Sequence, residues 1–175
     1  YKSTLAIALP MIIQNTVTNL VNLLDNLMVG SLGTEQMSGV SIVNQLVFVF
    51  NLTIFGAVSG AGIFTSQFFG KNDNEGIGYT IRYKLIVLSV ITIFSAMIFF
   101  LCGDNLVNMY LHEGSTDGNL ELTFKYAMEY LKICVIGFFP YSLSQLYAST
   151  LKETGETFLP MVIGYAAVVI NCIFN

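Results

Sequence analysis

From Gln36 to Gly70 the chain runs for 35 residues without an Asp, Glu, Lys or Arg. Four further uncharged runs cover residues 3–24, 85–103, 133–151 and 157–175, the first of 22 residues and the others of 19 each. A helix crosses a bilayer core of about 30 Å with about 20 mostly apolar residues. Five runs of that length in 175 residues describe a polytopic, all-α transmembrane bundle. A membrane β-barrel would show alternating segments of about 10 residues, and these runs do not alternate.

Composition points the same way. The chain has 7 basic and 11 acidic side chains, so 10% of its residues are charged, where soluble domains have about 25%. Hydrophobic residues make up 54%, and the mean hydropathy is +0.70. So few charges cannot cover the surface of a soluble domain. A soluble fold, a disordered tail and a nucleic-acid binder are therefore excluded. The chain opens on Tyr1 and stops at Asn175 inside an uncharged run. No cleavable signal precedes Glu35, and we read the chain as the first part of a larger, transporter-sized protein.

The runs predict helices over 5–29, 36–69, 79–102, 121–151 and 157–175. Gly30, Gly33 and Thr34 mark the first turn, Lys71 to Gly76 the second, and Lys152 to Glu156 the last, around Gly155. Residues 103–120, with Asp104, His112 and Glu113, are expected to form the longest connection. The second run would span about 52 Å as a straight helix, so a kink, a tilt or a projection past the membrane is expected. Gly56, Gly60 and Gly62 interrupt it, and Gly56 and Gly60 form a small-xxx-small pair expected to admit another helix. Pro10 and Pro140 should kink the first and fourth helices. Lys2, Lys71, Arg82, Lys84 and Lys152 gather at one end of the bundle, and Lys125 and Lys132 at the other. The positive-inside rule then predicts a cytoplasmic N-terminus and an outer loop carrying His112.

The first helix carries the most informative pattern. Asn15, Thr18, Asn19, Asn22, Asp25 and Asn26 fall within an arc of about 120°. Polar groups facing lipid cost free energy, so this stripe should face the bundle interior or a water-filled cavity. A hydrogen-bonded seam between helices is the structural alternative. Asp25 ends the stripe. Burial disfavours a charged carboxylate and a bound cation favours it, so such a group can exchange H⁺ or Na⁺. A merely solvated Asp25 at the helix end fits the spacing equally well. Asn171 and Asn175 share a face of the fifth helix at i and i+4, as oxygen ligands for a small cation or as helix–helix glue. Glu121, Lys125, Glu129 and Lys132 alternate in sign and form a mostly solvated face. Cys102, Cys134 and Cys172 form no CxxC pair, and His112 is the single histidine. No catalytic constellation is present and no enzyme, cofactor or nucleic-acid partner is expected. The sequon Asn51-Leu52-Thr53 lies in mid-span, where glycosylation is not expected.

Five segments taken in order carry a family resemblance. They are Leu9-Pro10, Leu24 to Gly33 (LDNLMVGSLG), Ser66 to Gly70 (SQFFG), Lys152 to Met161 (KETGETFLPM) and Ile170 to Asn175 (INCIFN). Together they resemble the N-terminal half of MATE (multidrug and toxic compound extrusion) transporters of the NorM/DinF-like bacterial kind. The resemblance spans residues 1–175 and implies five helices of a six-helix N-lobe in a twelve-helix protein of the plasma membrane. It implies a cation-coupled antiporter, driven by Na⁺ or H⁺, that exports organic and often cationic compounds. Asp25 matches the family's first-helix acid at the coupling-cation site, with Na⁺ as one possible occupant. Asn171 matches the fifth-helix asparagine of that site. Asn175 stands where some members carry an aspartate, and Tyr130 falls near a fourth-helix tyrosine. Lys152 replaces a more usual arginine. The implied partners are a small organic substrate, membrane lipid and the C-terminal lobe of the same protein. A lipid-linked precursor flippase and a non-transporting membrane scaffold are the competing readings.

Overall fold

The computed structural model of the chain describes residues 2–113 and 119–174. They form five helices: α1 (Lys2–Leu32), α2 (Thr34–Gly70), α3 (Asn74–Glu113), α4 (Leu120–Glu153) and α5 (Phe158–Phe174). No strand occurs among the described residues. Residues 114–118, with Gly114, Asp117 and Gly118 of the expected long loop, lie outside them, as does Asn175.

Local chemistry sets the helix ends. Gly33 separates α1 from α2 at φ 145, a conformation that costs a side chain dearly. Glu35 follows in the first turn of α2, ahead of the apolar run. Its carboxyl is held below the ordinary range, first by the backbone amide of its own residue and then by the Thr34 hydroxyl. Asn72 takes a left-handed turn at φ 56, and the Asp73 carboxylate accepts from the Gly76 amide at 2.9 Å to start α3. The Asn119 side chain accepts from the amides of Glu121 and Leu122 at 3.1 and 3.4 Å and caps α4. At the far end of α4, Gly155 (φ 81) donates to the Lys152 carbonyl and Glu156 to that of Leu151. This is a Schellman stop, and it turns the chain into α5.

Three helices make the core. On α2, Val43, Leu46, Phe50, Ile54 and Val58 are buried, a stripe at helical spacing. Phe138 of α4 stacks on Phe50 at 4.0 Å between ring centres and meets Phe99 of α3 edge-on at 5.5 Å. Gly39 lets α4 approach closely, since an added Cβ would lie 3.0 Å from the Thr123 carbonyl and the Ala127 amide. Gly39 meets Thr123 near one end of α2, and Gly62 meets Glu153 near the other. The helices α2 and α4 are therefore parallel and packed directly on each other, with α3 antiparallel against both. Two hydroxyl pairs join α3 to its neighbours, Thr65–Thr80 at 3.2 Å and Thr92–Ser142 at 2.6 Å.

The structure departs from the sequence reading in four places. First, α3 continues through residues 103–113, where a loop was expected. Gly103 packs on Leu131, and Val107 and Leu111 are buried. The apolar period outlasts the charge at Asp104, which is simply exposed. Second, Gly56 and Gly60 admit no helix of the described chain: an added Cβ at either meets nothing within 4 Å. They floor an open groove between α2 and α3 instead. Third, among the described residues α2 and α3 are the two helices long and apolar enough to cross a membrane by length and composition. A charge-free run is not necessarily an apolar one, because the amides and hydroxyls of α1 and α4 count against them and α5 has 17 residues. Fourth, Lys84 is no end-of-helix charge: it is 1% exposed, inside the bundle.

Candidate functional site

The helix α1 leans on α5 and, less extensively, on α2 of the three-helix core. The Gln14 amide donates to the Pro160 carbonyl at 3.3 Å. Gly164 makes room for it, since a Cβ there would lie 2.8 Å from the Gln14 nitrogen. A cavity of about 670 Å³ is left between α1 and the faces of α2 and α4. From α1 it receives Gln14, Asn15 and Thr18. The α2 wall adds Asn51 and Ser59, and the α4 wall adds Tyr141, Gln145, Ser149, Lys152 and Glu153. Asn51, the sequon residue, thus lines a cavity.

The predicted stripe divides along its length. Its first two members, Asn15 and Thr18, line the cavity. Asn19, Asn22 and Asn26 are exposed. Asp25 is partly buried and lies close enough to the Tyr130 hydroxyl for their charges to interact. Tyr130 in turn donates to the Asn44 side-chain oxygen at 3.4 Å. The phenol of Tyr130 on α4 and the amide of Asn44 on α2 therefore meet beyond the cavity, with the Asp25 carboxylate of α1 within electrostatic range. Asn171 is exposed on α5. Eleven residues separate Gln14 from Asp25 and Pro160 from Asn171, so an equal rise of about 17 Å leads from the α1–α5 contact to each. These groups are hard oxygen donors, suited to Na⁺ or to a shared proton. Among the described residues no three of His, Cys, Asp and Glu converge as a metal cluster.

Asn44 went unread in the sequence. Its signal is its spacing of seven from Asn51, which places both on one face of α2. Lys84 and Glu153 were read as charges at helix ends, yet Lys84 forms an ion pair with Glu153 across the α3–α4 seam. Its ammonium also donates to Ser149 at 3.5 Å and Thr150 at 3.4 Å. All three acceptors belong to the last turns of α4. A lysine immediately before a charge-free run gave no sign of its burial, because Arg82, on the same turn, points outward.

The family model MatE matches residues 10–175, which takes in the cavity, the Asp25 region and both ends of the buried ion pair. The chain belongs to the MatE family. A relative of this MatE chain is the probable multidrug resistance protein NorM of Thermotoga maritima, 24% identical over 162 residues. The match covers 93% of the MatE chain and 33% of that relative, so the chain spans about a third of its length. No solved structure matches the chain.

Proposed function

We propose that this chain is the N-terminal, cation-binding lobe of a multidrug antiporter in the plasma membrane, with its N-terminus cytoplasmic. The observation that carries the reading is Asp25, at the end of a polar stripe, within electrostatic reach of Tyr130. Membership of the MatE family and likeness to a protein named for multidrug resistance support export of organic compounds. Asp25 binds H⁺ or Na⁺ together with Tyr130, Asn171 and Asn175, the last outside the described residues. The cavity between α1 and the core takes the organic substrate. Cation binding and substrate binding each bias the position of the α1–α5 pair against the core, so each promotes release of the other. A second lobe of the same protein completes the pathway, and bilayer lipid surrounds both.

Asp25→Asn in the full-length transporter, reconstituted in vesicles, is expected to abolish gradient-driven efflux. Efflux at the wild-type rate would overturn the site. Imposing a Na⁺ gradient and a pH gradient separately identifies the coupling ion. The scaffold alternative makes the opposite forecast, that an apolar Asn15-to-Asn26 stripe leaves function intact.

A further inference from the structure

Glu153 is placed unlike the other acidic side chains among the described residues. Lys84 holds one carboxylate oxygen, Oε2. The other, Oε1, lies directly over Gly62, where any Cβ would collide with it. No hydrogen bond reaches Oε1 among the described residues. The Lys84 side chain is 0% exposed and that of Glu153 15%, and Glu153 is part of the cavity wall. A purely structural ion pair gains nothing from leaving its carboxylate at the edge of a cavity while its lysine is dry. An apolar pair of the same volume is often at least as stable.

We propose that Glu153 is a ligand-contacting carboxylate of the cavity, accepting the protonated amine of a transported compound, and that Lys84 is its positioning residue. The proposal rests on the reading of the cavity as a transport site. Lys84 works from behind the wall. Its bonds to Glu153, Ser149 and Thr150 use its donors, so its ammonium does not turn into the cavity. Two of those acceptors, Ser149 and Glu153, are themselves wall groups. The charged groups facing Glu153 are Lys84 from α3 and Lys152 from its own helix. The helix α2 presents Gly62, Val58 and Ser59 there, and α1 presents Gln14, Asn15 and Thr18. With Lys152 half-exposed on the same wall, the site suits one amine rather than a polycation.

The test uses the full-length transporter in detergent and two fluorescent dyes, one with a free primary amine and one with that amine acetylated. Binding is read by fluorescence polarisation. The wild type is expected to bind the amine dye about tenfold or more tightly over its acetylated form. Glu153→Gln is expected to erase the preference. The double variant Lys84→Met with Glu153→Gln removes both charges together, keeps the seam packed and should erase it too. Lys84→Met alone frees the carboxylate to turn toward Lys152 and weakens the preference, while Lys84→Arg restores it. Equal binding of the two dyes by the wild type would overturn the proposal, and so would a preference that survives in the double variant. Efflux by Asp25→Asn judges the transport reading separately: a coupling defect there with an intact dye preference in Glu153→Gln sinks only this inference.

Discussion

The helices α2, α3 and α4 bury side chains along most of their length, whereas among the described residues α1 and α5 contribute none of the core's large apolar side chains. The first group is held by the Phe50–Phe138–Phe99 stack, by hydroxyl pairs and by the Lys84–Glu153 bridge. The second is held by a glutamine on a carbonyl and a glycine beside it. Leu9, Leu20, Leu23 and Leu27 of α1 are each more than half exposed. In a bilayer, lipid or further protein takes up such faces at little cost. The contrast teaches that one bundle can combine a densely packed block with a pair of helices held by few side-chain contacts. The proposed cavity and coupling acid both lie on the line between them.

Four experiments can break or sharpen this comparison. The largest effect is expected from Asp25→Asn, which should reduce gradient-driven efflux to background while leaving the unfolding temperature of the protein unchanged. A large fall in unfolding temperature would instead make Asp25 part of the densely packed block. Next comes Lys84→Met. Removing one partner of a buried ion pair typically costs about 3–5 kcal/mol, and thermal unfolding in detergent should show it. The double variant Lys84→Met with Glu153→Gln should recover most of that loss.

Glycine substitutions give a smaller but sharper contrast. Gly39→Ala forces a Cβ to within 3.0 Å of the α4 backbone and is expected to cost about 1–3 kcal/mol. Gly56→Ala meets nothing within 4 Å, so helix propensity should leave stability equal or raised by up to about 1 kcal/mol. A loss of stability from Gly56→Ala would show that the open groove is a packed surface in the complete protein. The smallest effect belongs to Glu35. Its carboxyl is lowered in the folded chain, so the stability it adds is present above the ordinary value of 4.5 and fades as pH falls through its own, lower value. Glu35→Gln should remove that acid-range slope and leave unfolding at neutral pH almost unaffected.

Several features were legible from residue order. The fold class follows from the charge-free runs, because uncharged segments of membrane length have few soluble outcomes. The turns at Gly33 and Gly155 were legible because both glycines take positive φ, a local demand that shows in the sequence. Asp25 stood out as a carboxylate at the end of a stripe. Asn44 did not, because one amide in a run of 35 uncharged residues has no periodic partner closer than Asn51.

What residue order determined by itself was local: where helices form, where they stop and which face of α1 is polar. These depend on backbone geometry and on side chains within one or two turns. The tertiary structure alone decided which faces met. It sent Gly39 rather than Gly56 into contact with a neighbouring helix. It placed Lys84 in the seam rather than in solvent, with Glu153 as its partner 69 residues away. It also leaned α1 on α5 and so left a cavity open beside the core. Contacts between distant residues depend on the docking of whole helices, and the spacing within any one helix does not encode them.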